Sequence, residues 1–295
     1  MRTLVSTDRR LAWAAAALAF AVGALASPHA AGASSIEGHW HIADPIIGPW
    51  EQPRHAHEPK SRWQKPAPAG LDSLSFPHFT GPEFNELFTT AELPNLSSVS
   101  AAPTITDSAE MDEGIRTQAI ERGYQRRPLP ADYALMRLID DGLALQHPAA
   151  KAWLALARDA AAHDIELRLV SAYRGHRYQR QVFLRPLETP YELDDFAERM
   201  KHSAPPGYSK HHTGYAVDIG HEGFSDSKFG ESPAYEWLAA DNFANAKKHG
   251  WIPSYPPDGG RQGPVPEPWE FTYVGVKAIL CFHQPPTGDD PLCTA

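Results

Sequence analysis

The chain of 295 residues has a formal charge of −9, 42% hydrophobic residues and 28 prolines. Its length fits one large domain or two small ones, and its composition is that of a soluble globular protein. An acidic balance without any basic run argues against nucleic acid as a partner, and it gives no electrostatic reason to adhere to an anionic membrane.

The first residues have the pattern of an export signal. Arg2, Arg9 and Arg10 form a positive start, and Leu11 to Leu25 form an alanine-rich apolar run. Small-residue cleavage sites follow at Ala24-Leu25-Ala26 and Ala31-Gly32-Ala33. A spanning helix needs about 20 apolar residues, so cleavage is expected and no retained membrane span. Residues 1–33 are therefore read as a signal peptide, and the mature protein is expected in a periplasm or cell-wall space. The two cysteines, Cys281 and Cys293, would in an oxidising compartment close a small loop near the C-terminus.

Residues 34–106 show no sustained periodicity and scatter prolines among isolated aromatics such as Trp40, Trp50, Trp63, Phe76 and Phe79. They read as an extended arm without a core of its own. Regular patterning starts near residue 107. Leu135, Met136, Ile139 and Leu143 lie at helical spacing within 133–145, with Gly142 near the end. Pro148 opens a second helix, with Trp153, Leu154, Ala157 and Ala161 on one stripe. Ile165 to Val170 alternates as a half-buried strand. Further helices are expected after Gly175, over about 191–201, and from Ser232-Pro233 to Gly250. In the last of these, Trp237, Ala240, Phe243 and Ala244 mark the buried side and His249 sits at the dipole's negative end. Helices followed by site-bearing strands predict an α+β domain over 107–283, with a small antiparallel sheet packed against several helices. Residues 284–295 are left as a tail.

Within that domain, His211 and Asp218 stand seven residues apart, and an imidazole with a carboxylate is a plausible pair of zinc ligands. Tyr215, Val217 and Ile219 alternate with Gly214, Ala216 and Asp218, so one strand face packs and the other is cleared around a carboxylate. Ser209, His211, Gly214, Ala216 and Asp218 together fit the pattern Ser-x-His-x-x-Gly-x-Ala-x-Asp. On that pattern the chain resembles the zinc D-alanyl-D-alanine carboxypeptidases of the VanY type, the D,D-peptidases that trim peptidoglycan stem peptides. The resemblance implies a D,D-peptidase-like fold and a stem-peptide substrate. Ser171-Ala172-Tyr173-Arg174 with Gln179 downstream is similar to the family's segment in which the arginine stabilises an oxyanion. By that likeness Tyr173 and Gln179 lie near substrate, and Ser209 hydrogen-bonds its terminal carboxylate.

Pro266-Glu267-Pro268-Trp269-Glu270 resembles the family's Glu-Pro-Trp-His segment, in which Glu is the general base and His the third zinc ligand. Glu267 and Trp269 match, but Glu270 stands at the ligand position. Three readings follow. Glu270 itself ligates the ion; or metal binding is lost, leaving a silent peptidoglycan-binding relative; or His212, His221 or His283 substitutes. The first ranks highest because carboxylate for imidazole is a conservative exchange of donors. It would also move the site's preference from zinc toward harder ions such as Mn²⁺. The expected function is a D,D-carboxypeptidase, with an endopeptidase of the same family as its rival.

Overall fold

The computed structural model describes residues 75–140, 142–283 and Cys293. The expected signal peptide, the arm up to residue 74 and all of the tail except Cys293 lie outside these residues. In chain order come α1 (Gly81–Thr90), α2 (Ala109–Glu121), β1 (Met136–Asp140), β2 (Leu143–Gln146), α3 (His147–Ala162), β3 (Arg168–Ser171), α4 (His176–Leu184) and α5 (Leu193–Arg199). Then follow β4 (Ala216–Gly220), α6 (Pro233–Lys247), β5 (Trp251–Tyr255), β6 (Glu267–Tyr273) and α7 (Val276–Cys281). The last four strands pair antiparallel in the order β3-β4-β6-β5, which gives the α+β class expected from the sequence.

The alternation through β4 decides which way the sheet faces. Tyr215, Val217 and Ile219 enter the main core beside Trp153, Trp251 and Phe271, while Asp218 points to the other face. Registers then align the site. Asp218 stands opposite Glu270 on β6 and opposite Ser171 on β3. Between β5 and β6 the register shifts: Pro253 pairs with Phe271, whereas Tyr255 pairs with Glu267. A step of two residues along β5 thus spans a step of four along β6. A bulge of this kind re-aims side chains, and here it lets two glutamates three residues apart serve one site.

Three departures from the sequence reading have local causes. The helix expected over 133–145 is a short 3₁₀ turn followed by the β1–β2 hairpin. Gly142, taken as a helix end, has φ +80° and turns the chain, and the apolar set splits between the 3₁₀ turn and the two strands. In α3 the buried face is Ala149, Ala150, Trp153, Leu156 and Ala160, one step round from the expected stripe; Ala161 is exposed. In α6 the helix breaks at residues 240–243, with Asp241, Asn242 and Phe243 in the left-handed region at φ +48°, +54° and +66°. The break resets the helical phase, so Ala240 is exposed and Leu238 and Ala246 are buried.

That break is held by the end of the segment read as an arm. The Asn242 side chain accepts from Phe79 N–H at 2.8 Å and donates to Phe79 C=O at 2.9 Å. Lys247 Nζ donates to Pro77 C=O at 2.6 Å and to Asn242 Oδ1 at 2.9 Å. Phe79, Phe84, Leu87 and Phe88 all lie in the main core, so this stretch of the segment read as an arm packs into it. Each hydrogen bond contributes about 1 kcal/mol net. Asn242→Ala is therefore expected to lower stability by about 2 kcal/mol, read from the denaturant midpoint. An unchanged midpoint would mean the side chain carries no load.

Near the far end of α6, His249 Nε2 meets Asp159 Oδ2 at 2.7 Å in a buried pair, with Lys248 Nζ at 3.1 Å. His249 thus ties α6 to α3, a structural role as expected. Cys281 and Cys293 form a disulfide with Cα atoms 5.4 Å apart.

Candidate active site

His211 lies in a 3₁₀ turn, Lys210–Thr213, whose N-terminus is capped by Ser209 Oγ accepting from His211 N–H at 3.3 Å. Gly214, at φ +73°, then swings the chain into β4. The imidazole is completely buried, and its Nδ1–H donates to Ala172 C=O at 2.6 Å. That bond fixes the tautomer and aims Nε2 at two carboxylates. Asp218 Oδ1 is 3.2 Å away and Glu270 Oε2 is 3.4 Å away. Arg174, at the exit of β3, reaches Asp218 Oδ2 at 3.5 Å, and its N–H donates to His211 C=O at 3.2 Å.

Such a cluster is electrostatically unfinished. Burial opposes charge on His211 and Arg174 repels it, yet Asp218 and Glu270 outweigh both and raise its pKa to about 9. Burial would raise the Asp218 pKa, but His211 and Arg174 hold it low. Glu267 is pushed well above the carboxylate range, first by burial and then by Glu270 and Asp218, and it shares a hydrogen bond with Glu270. Glu270 Oε1 is buried without a hydrogen-bond partner. An orphaned buried oxygen is costly.

One divalent cation would resolve these tensions. His211, Asp218 and Glu270 each offer a donor atom, and the three atoms lie within 4.8 Å of one another. Imidazole nitrogen and carboxylate oxygen are accepted donors for zinc. The bond from His211 Nδ1 to a backbone carbonyl is also the usual support for a ligating histidine. The residues present fit the ion.

The other histidines weighed at the ligand position face elsewhere. His212 donates from Nδ1 to Arg174 C=O at 2.6 Å and accepts at Nε2 from Gly207 N–H at 2.9 Å. Half-buried His221 bonds Glu166 C=O, and exposed His283 pairs with Glu83. The three residues expected beside the substrate are placed as follows. Tyr173 is buried and donates from its hydroxyl to Tyr133 Oη at 3.1 Å. Gln179 is buried, donates to Ala204 C=O at 2.7 Å and leaves Oε1 without a partner. Ser209 is buried at its capping position.

Two cations near the site escaped the sequence reading. Lys210 is buried, donates from Nζ to Ser254 C=O at 2.5 Å and sits 4.8 Å and 4.4 Å from the ring centres of Phe88 and Tyr255. Arg127 stands over the same Phe88 ring at 4.8 Å. Lys210 carries no local signal of burial, since lysine reads as surface by default.

Fold and site together define a hydrolase-like α+β domain with a cation-ready centre on its sheet. Residues 142–276 match the family model described as VanY, D-alanyl-D-alanine carboxypeptidase. A bifunctional D-Ala-D-Ala dipeptidase and carboxypeptidase, VanXYC of Enterococcus gallinarum, is 32% identical over 149 residues, covering 50% of this chain and 76% of the relative. A D-alanyl-D-alanine carboxypeptidase of Enterococcus faecalis is 36% identical over 83 residues, 28% of each chain. Among solved structures, a vancomycin-resistance D,D-pentapeptidase VanY in complex with Zn(II) aligns at 27% identity and TM-score 0.44, covering 55% of this chain and 91% of that one. The chain belongs to the VanY D-alanyl-D-alanine carboxypeptidase family and is a peptidase.

The elevated His211 pKa carries a signed prediction for the metal-free protein. A group at about 9 in the folded state and 6.5 unfolded stabilises the fold fully below pH 6.5, and that contribution is lost as pH rises through 9. The loss is expected to reach about 3 kcal/mol. Because a ligand nitrogen must shed its proton, zinc affinity should rise with pH across the same window, and binding should release about one proton from His211 besides any shed by Glu267. Calorimetry in buffers of differing ionisation enthalpy measures the total released; no release would exclude His211 as a ligand.

Proposed function

We propose that this chain is an exported, metal-dependent carboxypeptidase that removes the terminal D-alanine from peptidoglycan stem peptides. The observation that carries the proposal is the cluster of His211 Nε2, Asp218 and Glu270 oxygens around one point, with Glu267 hydrogen-bonded at its edge. His211, Asp218 and Glu270 would hold the ion. Zinc is the first choice because a VanY pentapeptidase is known in complex with Zn(II), and the second carboxylate widens tolerance toward harder ions. When bound, the ion supplies Lewis acidity toward water and the scissile carbonyl.

The protein's own groups do the rest. Glu267 takes a proton from the attacking water and returns it to the leaving amine. Its burial and the neighbouring charges of Glu270 and Asp218 favour its protonated form; the positive charge of a metal held by His211, Asp218 and Glu270 would favour the ionised, basic form instead. Pro266 and Pro268 hold its backbone stiff, which favours fixed aim. Arg174 places a guanidinium beside Asp218 where it can share charge developing on the carbonyl oxygen. Ser209 and Gln179 would meet the substrate's terminal carboxylate and backbone, with Tyr173 packed beside them.

Residues 1–33 would direct export and be removed, and 107–283 would form the catalytic domain with the end of the arm packed into it. Among the described residues no helix is long and apolar enough to cross a membrane. The test is release of D-alanine from a stem pentapeptide, before and after chelation and with zinc restored. Release that disappears with chelator and returns with zinc supports the proposal. Binding of peptide without release would instead mark a silent relative.

A further inference from the structure

Lys210 directly precedes His211 in the chain, and it is buried with its ammonium walled in. Nζ donates to Ser254 C=O at 2.5 Å and stands 4.4 Å from the ring centre of Tyr255 and 4.8 Å from that of Phe88. Arg127, over the same Phe88 ring, adds the repulsion of a second cation. Burying an ammonium against one carbonyl and two ring faces costs free energy that an apolar side chain of similar length would not. A lysine in this socket therefore calls for a reason beyond packing.

The carbonyl it holds supplies one. Ser254 is the β5 residue inside the bulge, between Pro253, which pairs with Phe271, and Tyr255, which pairs with Glu267. Its hydroxyl meets Thr272 Oγ1 on β6. The bulge is thus held from the sheet by that side chain and from the His211 turn by Lys210, across 44 positions of sequence. This is the same bulge that brings Glu267 and Glu270 to one site. Part of the socket lies outside the stretch that matches the family model, because Phe88 on α1 and Arg127 both precede residues 142–276.

We propose that Lys210 is a positioning residue for catalysis, a strut that ties the β5–β6 bulge to the His211 turn and so fixes Glu267 relative to the metal ligands. The inference rests on the reading of Glu267 as general base. Lys210 touches neither water nor substrate in this scheme; it acts through Ser254 and the register that places the base. A misplacement of about 1 Å at a reacting group costs on the order of 10²-fold in rate, so a loosened bulge should be visible in kcat.

The experiment measures kcat and KM for D-alanine release, metal content, melting temperature and backbone hydrogen exchange in the full chain. Lys210→Met should lower kcat by about 10²-fold, with KM and one metal ion per chain retained and the melting temperature little moved. Lys210→Arg, which keeps a charged donor for the carbonyl, should recover most of the loss. Lys247→Met is the matched control, since it too removes a buried ammonium that donates to a backbone carbonyl beside an aromatic ring. It should lower stability and leave kcat alone. An unchanged kcat in Lys210→Met, or an equal fall in Lys247→Met, overturns the strut. If Lys210→Met does not fold, Thr272→Val frees the same serine from the other side, and it should lower kcat at constant KM; no change there overturns the proposal. If wild type hydrolyses no peptide, the base reading fails, and hydrogen exchange decides the strut without substrate. Faster exchange confined to residues 254–270 in Lys210→Met supports it, and unchanged or uniformly faster exchange overturns it.

Discussion

Replacing Glu267 by glutamine is expected to lower kcat for D-alanine release by about 10²–10⁴-fold, the usual worth of a general acid–base, while one metal ion per chain is retained. Gln keeps the shape and the hydrogen bond to Glu270 but removes the proton acceptor. The two glutamates occupy different places in the sheet. Glu267 pairs with Tyr255 in the sheet and sits at the edge of the donor cluster, whereas Glu270 faces Asp218 across β4 and β6 within it. KM should change little, because in the proposed mechanism Glu267 acts on water and the leaving amine and not on the resting substrate. Loss of metal from Glu267→Gln would place this residue among the ligands and reverse the assignment.

A second large effect is expected at the opposite corner. His211→Ala should abolish stoichiometric metal and with it all hydrolysis, because it removes the one nitrogen in the cluster and opens a buried hole beside Ala172. Asp218→Asn should weaken binding severely yet keep the packing of β4. Its Tyr215, Val217 and Ile219 face does not depend on the carboxylate. Fluorescent-chelator competition and a melting curve separate loss of the ion from loss of the fold.

Much of this candidate site is legible in the sequence. The alternation Tyr215-Val217-Ile219 against Asp218 stated which face would be cleared, and the spacing from His211 placed the imidazole just ahead of that strand. What periodicity could not give was the bulge between β5 and β6, because a register shift depends on the partner strand. It could not give the break in α6 either. Three consecutive left-handed residues are stabilised by Phe79 and Pro77, more than 160 positions away in the chain. The same long-range packing explains why α1 lay hidden in a proline-rich stretch: its apolar residues matter through their partners. The β1–β2 hairpin was missed because a short apolar set fits helix and strand alike, and only Gly142 with its positive φ tips the balance.

The heart of the account is that Glu270 serves as a ligand where a histidine is usual. The most direct measurement is metal content by mass spectrometry, paired with D-alanine release, for wild type, Glu270→Gln and Glu270→His. Wild type should carry one divalent ion and release D-alanine, Glu270→Gln should lose both, and Glu270→His should shift ion preference toward zinc without creating activity. A wild type that holds no ion and becomes a working enzyme only when histidine is installed would contradict it.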